Sequence, residues 1–278
     1  MKIIDCHLHL NIGNDKKNAE LSKPLVDFTK QGLLAEMKEA NVEHAIFNTV
    51  DDVVKGFGTG NYPTPVRMKE ALEFVKDSPS LHLMPGLNPN SMPENALKIA
   101  EDALKKEQIA GFKVLSGYVH FYPFDKIYHK FYNLAIKYDV PVMFHTGDVY
   151  DPIGHALSKY CHPSHLDEVA VKFPKMKMIM AHLGNPLIRD AVLVLNKNQN
   201  VYADISGFFV GNVNSSHVYE SNDINFALEF LGGADSFLYG TDWPLVRMKD
   251  YAEFMQKIIP SKFHDKIFYS NAKRLFRL

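Results

Sequence analysis

The stretch Ile3-Ile4-Asp5-Cys6-His7-Leu8-His9 begins the chain with an apolar run that ends in two histidines. Successive side chains of a strand point to opposite faces, so residues two apart share a face, and both imidazoles can meet at one strand end. Imidazole nitrogen is a ligand for zinc and similar divalent ions. Taken alone, the pair is equally compatible with two histidines that cap an exposed strand edge. The interpretation therefore depends on whether further ligands follow other strands.

Polar residues of the same kind do follow three later apolar runs. These runs, with the residues that come directly after them, are Val140–Phe144 with His145, Met176–Ala181 with His182, and Ser236–Tyr239 with Gly240-Thr241-Asp242. Four strand ends that supply four histidines and an aspartate indicate one shared metal site rather than four unrelated structural residues.

Strand-like and helix-like runs alternate along the whole sequence. Strands are predicted over 2–9, 43–50, 81–88, 109–116, 140–147, 176–183, 201–206 and 236–242. Helices are predicted over 32–41, 65–76, 94–107, 124–138, 165–173, 186–196, 224–231 and 249–259, several with apolar residues three and four apart. Eight such units predict an α/β fold, a closed (β/α)8 TIM barrel, as a single domain over 1–278. An open doubly wound sheet is the alternative, but it would disperse strands one, five and eight.

Charge and composition limit the partners. Lys plus Arg number 31 against 32 Asp plus Glu, and no basic block occurs, so we expect no nucleic-acid partner. An apolar fraction of 46% supports a sizeable core. The N-terminus shows no signal-peptide pattern, no run is long enough to cross a bilayer, and the two cysteines suit a reducing compartment. We therefore expect a cytoplasmic protein with a small-molecule substrate and no membrane partner, and leave a homodimer open.

The ligand pattern resembles the amidohydrolase superfamily, more narrowly the amidohydrolase-related (amidohydrolase 2) branch with aminocarboxymuconate-semialdehyde decarboxylase, resorcylate decarboxylases and several lactonases. The motifs that carry this resemblance are His7-x-His9, His145, His182, Gly184-Asn185-Pro186, Gly240–Pro244 and Asn271–Phe276. The resemblance implies one divalent ion held by His7, His9, His145 and Asp242, with His182 beside its bound water. Zinc is the expected ion, and similar sites also accept manganese.

Hydrolysis is the reaction that this ligand set predicts. A divalent ion lowers the pKa of its bound water toward about 7, which makes hydroxide available at neutral pH. We expect Asp242 to accept the water proton and pass it to the leaving group, and His182 to polarise the carbonyl or stabilise the oxyanion. The predicted activity is therefore that of a metal-dependent hydrolase acting on a small ester, lactone or amide.

Two other functions are compatible with the same residues. Metal-dependent non-oxidative decarboxylation of a small unsaturated or aromatic acid would need a cationic group aimed at the substrate carboxylate. Arginine is scarce near the predicted mouth, where Arg67, Arg189 and Arg247 are the candidates, which favours hydrolysis. A non-catalytic metal-binding or scaffold protein is the third hypothesis, and it predicts a mouth plugged by side chains.

Three further residues are predicted to bind substrate. Lys113 ends the fourth strand; a carbamylated lysine at that place bridges two ions in two-metal members of the superfamily, whereas a free ammonium would bind a substrate carboxylate. His120 falls in a connection that would ring the barrel mouth, where a role in loop structure is the alternative. Trp243 could form a pocket wall, and packing in the barrel is its alternative.

Overall fold

Eight parallel strands in sequence order form the sheet of this computed structural model. The structure describes residues 1–10, 26–27, 29–50, 68–89, 94–106, 108–149, 156–212 and 218–278. The strands are β1 Ile3–Leu8, β2 Val42–Val50, β3 Leu81–Leu87, β4 Phe112–Val114, β5 Val142–Phe144, β6 Met178–Met180, β7 Val201–Asp204 and β8 Phe237–Leu238. Each lies within or overlaps a predicted strand, and the prediction of a (β/α)8 barrel is confirmed.

Helices follow the strands and cover the outside of the sheet. They are α1 Lys30–Glu39, α2 Met68–Val75, α3 Ala96–Leu104, α4 Lys126–Tyr138, α5 His165–Lys172, α6 Ile188–Lys197, α7 Val218–Phe230, α8 Met248–Ile258 and α9 Asn271–Phe276. Local sequence fixes several ends. Thr29 caps α1 by accepting a hydrogen bond from the Gly32 N–H, and α4 ends at Asp139 in a left-handed conformation. Within the described residues, no helix is both long and apolar enough to cross a bilayer.

The last strand meets the first through the residues that follow β8. The Cys6 N–H donates to the Tyr239 carbonyl at 3.0 Å, and the Asp242 N–H donates to the His7 carbonyl at 2.9 Å. The His9 N–H then donates to the Trp243 carbonyl at 2.7 Å. These bonds nearly close the barrel, and they place the end of β1 directly beside the segment after β8.

Apolar side chains fill the interior of the barrel below the strand ends. This interior cluster contains Ile4, Cys6, Ile46, Met84, Met143, Ile179 and Leu238. Ala272, Leu275 and Phe276 of α9 belong to the same cluster and cover it from the N-terminal side of the strands. Because that side is filled, the C-terminal strand ends are the side on which polar side chains can form a site.

Candidate metal centre and active site

His7, His9 and Asp242 meet at the C-terminal side of the barrel. His7 lies in β1 and His9 just beyond it, whereas Asp242 follows β8. The backbone hydrogen bonds between these two segments bring the three side chains to one point. Asp242 is separated from each of the two histidines by at least 233 positions in the sequence. The structure therefore brings together three of the side chains that the sequence predicts as ligands, at neighbouring strand ends.

Distances and burial in this group fit a divalent cation. Asp242 Oδ1 lies 2.6 Å from His9 Nε2 and 3.8 Å from His7 Nε2. The oxygen is buried, yet no described residue makes a hydrogen bond to it with acceptable geometry. A buried carboxylate oxygen without a hydrogen bond is costly unless a cation satisfies it. Two imidazole nitrogens and a carboxylate oxygen are also the donor types that zinc prefers, so His7, His9 and Asp242 fit a metal ion.

A second carboxylate, that of Asp204 at the end of β7, orients the His7 ring. His7 Nδ1 lies 2.9 Å from Asp204 Oδ2, and both side chains are fully buried. A carboxylate only accepts hydrogen bonds, so Nδ1 carries the proton and Nε2 keeps its lone pair for the ion. Burial raises the pKa of Asp204, but the partnership with His7 and the bond from Ser206 outweigh burial and hold that pKa below its usual range.

His182 lies beside this group, in the short helical turn after β6. Its ring stacks on that of His7 with centroids 4.7 Å apart, and its backbone N–H donates to Asp204 Oδ1 at 3.0 Å. The residue has a left-handed backbone with φ of +59°, which is uncommon for residues other than glycine. The bond to Asp204 holds this conformation and turns the imidazole toward the ligand group.

His145, the fourth predicted ligand, borders the group. Its ring lies 5.1 Å from that of His182, but its nitrogens are not among the donor atoms that lie within 4.8 Å of one another. His145 Nε2 donates to the Asp148 carbonyl at 2.8 Å, so Nδ1 is the nitrogen with a lone pair. The structure thus brings three predicted ligands together and sets His145 next to them with Nδ1 available.

Lys113 extends from β4 into the same region. Its side chain is buried, and Nζ lies 3.3 Å from His7 Nε2. Burial lowers the pKa of Lys113 to about 8, and the carboxylates of Asp204 and Asp242 oppose this shift. Lys113 is therefore a buried amine at the metal site, where either of its two predicted roles would place it.

Three imidazoles of this site, those of His7, His145 and His182, are held in their neutral forms. Burial, followed by the charge of Lys113, lowers the pKa of His7 to about 3. Burial also lowers the pKa of His145 and of His182, although Asp242 and Asp204 oppose the shift at His182. Neutral imidazole is the form that binds a metal ion, so burial prepares these side chains for coordination.

The other two predicted substrate-binding residues do not line the ligand group: His120 lies at the exposed rim and Trp243 in the core. His120 is exposed at the rim and stacks on Tyr160 with ring centroids 5.5 Å apart. Trp243 is 1% exposed, and its indole N–H donates to Glu36 at 3.2 Å. In this structure Trp243 therefore packs in the core, which is the alternative that the sequence left open.

Sequence reasoning missed Asp204, Ser206 and Tyr118. Asp204 and Ser206 are two residues apart at the end of the seventh strand, and that spacing is the signal that could have placed both on the face of the site. Tyr118 lies in the connection after β4, where its ring is 4.9 Å from that of His145. An isolated tyrosine in a loop gives no comparable signal.

Known structures share this fold over their full length. One is an uncharacterized TIM-barrel protein from Bordetella bronchiseptica, with 20% identity over 100% of this chain and 99% of that one and a TM-score of 0.76. A 2,6-dihydroxybenzoate decarboxylase from Rhizobium has 18% identity, coverage of 100% and 99%, and a TM-score of 0.69. A probable 2-pyrone-4,6-dicarboxylic acid hydrolase from Acinetobacter baumannii, with citric acid bound, has 16% identity, full coverage of both chains and a TM-score of 0.66.

Sequence comparison gives a more specific result. No curated protein matches the chain. The amidohydrolase family model matches residues 4–278, which include every residue of the site described above. With eight parallel strands and a histidine and aspartate group at their C-terminal ends, the chain belongs to this metal-dependent amidohydrolase family of enzymes.

Proposed function

We propose that this enzyme is a metal-dependent hydrolase of a small ester, lactone or amide. The observation that carries the proposal is the convergence of His7, His9 and Asp242 around a buried carboxylate oxygen that lacks a hydrogen bond. When bound there, a divalent ion supplies Lewis acidity and lowers the pKa of water toward neutrality. Zinc is the ion that we propose first, with manganese as its alternative and one ion per chain as the stoichiometry.

The side chains around this point have distinct roles in the proposed reaction. Burial raises the pKa of Asp242, but its contacts with His9, His182 and His7 outweigh burial and hold that pKa well below its usual range. The carboxylate is therefore ionised at neutral pH and can accept a proton as attack begins. It then returns the proton to the leaving group. His182 lies next to His7 on the open side of the ligand group, where it handles a proton or stabilises the developing oxyanion.

Decarboxylation of a small unsaturated or aromatic acid is the second candidate, and Lys113 is the observation that favours it. Its Nζ reaches the metal site, and an ammonium with a pKa of about 8 is mostly charged at pH 7 and can bind a substrate carboxylate. Two of the three candidate arginines are engaged elsewhere. Arg189 lies over the Phe226 ring at 4.4 Å, and Arg247 lies 3.6 Å from Glu39; Arg67 is outside the described residues.

The two reactions are separated by the origin of the atoms in the product. The zinc-restored protein is incubated with a panel of lactones, esters, amides and carboxylated aromatics in H2(18)O, and in parallel in D2O. Hydrolysis places one solvent oxygen in the product acid, whereas decarboxylation releases carbon dioxide and places one deuterium at the carbon that carried the carboxylate. Carbon dioxide release without solvent oxygen in the product would overturn the hydrolase proposal.

The proposed partners follow from the same site. A group of buried side chains at a barrel mouth suits a small molecule, and the sequence has no basic block of the kind that favours a phosphate backbone. We therefore propose a small-molecule substrate as the physiological partner, with no nucleic-acid or membrane partner.

A further inference from the structure

The hydroxyl of Ser206 lies between the imidazoles of His7 and His182. Ser206 Oγ is 2.9 Å from His182 Nδ1 and 3.1 Å from His7 Nδ1, and it makes a short hydrogen bond with Asp204 Oδ1. Ser206 is fully buried and follows β7, two residues after Asp204. One hydroxyl thus joins a carboxylate to two imidazoles of the proposed active site.

The single hydroxyl proton of Ser206 has one satisfactory destination. Asp204 is a carboxylate that accepts from four donors, namely His7 Nδ1, the Ser206 hydroxyl and the backbone N–H groups of His182 and Ser206. A carboxylate cannot donate, so the short contact with Ser206 is a hydrogen bond only if Ser206 donates. If the proton pointed elsewhere, two oxygens would face each other at close range with no hydrogen between them.

The direction of that bond fixes the proton on His182. With its own proton committed to Asp204, Ser206 Oγ can only accept a hydrogen bond from His182 Nδ1. His182 is then the Nδ1–H tautomer, and Nε2 holds the lone pair. His7 is the same tautomer because its Nδ1 faces Asp204, which leaves its Nε2 directed toward Asp242 and Lys113.

We propose that Ser206 is a positioning residue. Its hydroxyl donates a hydrogen bond to Asp204 and accepts one from His182 Nδ1, which fixes His182 as the Nδ1–H tautomer. A single buried carboxylate then orients His7 directly and His182 through one hydroxyl. The proposal deepens the proposed function and rests on it only for the use of His182 in the reaction. In that reaction the neutral His182 begins as a proton acceptor at Nε2, and it can donate to an oxyanion only after it has gained a proton.

The tautomer is measured directly by NMR. Full-length, zinc-loaded protein labelled with 15N at histidine is recorded in long-range 1H–15N spectra, and the His182 signals are assigned by their loss in His182→Gln. The expected result is a protonated, pyrrole-type Nδ1 at His182. In Ser206→Ala the acceptor is lost, and the ratio of Nδ1–H to Nε2–H should fall by about tenfold, the equivalent of one hydrogen bond. Ser206→Thr, which keeps the hydroxyl, should restore the ratio.

The controls keep the outcomes distinct. Ser78→Ala removes a buried serine hydroxyl in the connection between α2 and β3, on the opposite side of the barrel, and should leave the His182 signals unchanged. An Nε2–H tautomer in the unmodified protein would overturn the proposal without any variant, even if Ser206→Ala does not fold. An unchanged ratio in a folded Ser206→Ala would overturn it as well. Because the spectra need no substrate, failure of the hydrolase proposal would leave this result unaffected.

Discussion

Two residues of the site have an unfavourable backbone conformation. His182 and Asp242 both have positive φ, +59° and +65°, and neither is a glycine. Such a conformation costs on the order of 1–3 kcal/mol per residue and persists only where surrounding bonds determine it. Asp204 supplies one such bond to the His182 backbone, and the His7 carbonyl supplies one to Asp242. These hydrogen bonds thus stabilise an unfavourable backbone conformation that directs the two side chains toward the site.

A glycine beside His182 allows a test at single-residue resolution. Gly207 has φ of +66°, and a Cβ there would lie 2.5 Å from His182 Nδ1. Gly232 has φ of +65°, but a Cβ added there would have no neighbouring atom within 4 Å. Gly233 is not in the left-handed region, and the nearest atom to an added Cβ is 3.8 Å away. We expect Gly233→Ala to be neutral, Gly232→Ala to destabilise by about 1 kcal/mol, and Gly207→Ala to destabilise by about 2–4 kcal/mol.

Urea unfolding of the three variants measures these differences. Gly232→Ala measures only the cost of the left-handed backbone conformation. Any additional loss in the free energy of unfolding for Gly207→Ala therefore measures the contact with His182. Equal destabilisation of Gly207→Ala and Gly232→Ala would show that the His182 ring does not occupy the position described.

The sequence indicated the candidate metal ligands at the strand ends, but the residues that hydrogen-bond to them were not identified from it. His7, His9 and Asp242 were identified because each follows an apolar run, a pattern visible within a few residues. Asp204 supports His7 across 197 positions of sequence. Its spacing from Ser206 could have placed it on the face of the site, but a carboxylate after a strand does not by itself indicate a bond to His7. The packing of Trp243 depends in the same way on Glu36, 207 positions away.

At the scale of elements, Glu36 joins α1 to the segment that carries Asp242. Its carboxylate accepts the Trp243 indole N–H at 3.2 Å and the Met248 backbone N–H at 2.9 Å, at the first turn of α8. Burial raises the pKa of Glu36, and these two bonds oppose that shift. One buried side chain thus fixes a helix start and the residue next to Asp242.

Glu36→Gln should destabilise the protein by about 2 kcal/mol, because an amide has one acceptor oxygen for two donors and loses the charge. The matched control is Glu39→Gln on the same helix, where the side chain is 46% exposed and the effect should stay within about 0.5 kcal/mol. Trp243 is the only tryptophan, so its fluorescence reports the altered contact independently. Equal stability of the two variants with unchanged emission would refute this role for Glu36.

The sequence predicted which strands occur more accurately than it predicted their lengths. Strands were predicted over 109–116 and 176–183, but β4 and β6 contain three residues each. Apolar residues continue past a strand end when they pack under the loops, so hydrophobicity alone overextends a strand. The helix α9 was not among the predicted helices because only six residues form it, too few for a periodic pattern.

At the scale of the whole molecule, the two ends of the barrel carry different chemistry. The C-terminal strand ends hold the candidate metal site, and α9 covers the other end. Near that covered end, at the starts of β2 and β3, His44 Nδ1 lies 3.0 Å from His82 Nε2. Burial, followed by the charge of His44, lowers the pKa of His82 to about 4 from 6.5.

This pair makes stability depend on pH away from the active site. The folded-state pKa of His82 is depressed, so its contribution is fully present above pH 6.5 and is lost as the pH falls toward 4. Between about pH 7.5 and about pH 5, the unmodified protein should lose about 2 kcal/mol more stability than His82→Gln. Urea unfolding at both pH values measures the difference. An equal loss in the two proteins would contradict this assignment.

In the proposed enzyme, His7, His9 and Asp242 hold one divalent ion, and the zinc content of the protein after equilibrium dialysis reports on this ligand set without a substrate. Elemental analysis should give about one zinc per chain in the unmodified protein and a large loss in Asp242→Asn, because that substitution removes the anionic ligand. Asp235→Asn changes an exposed aspartate that pairs with Lys266 and should retain the ion. A full equivalent of zinc in Asp242→Asn, or none in the unmodified protein, would show that these three residues do not hold the ion.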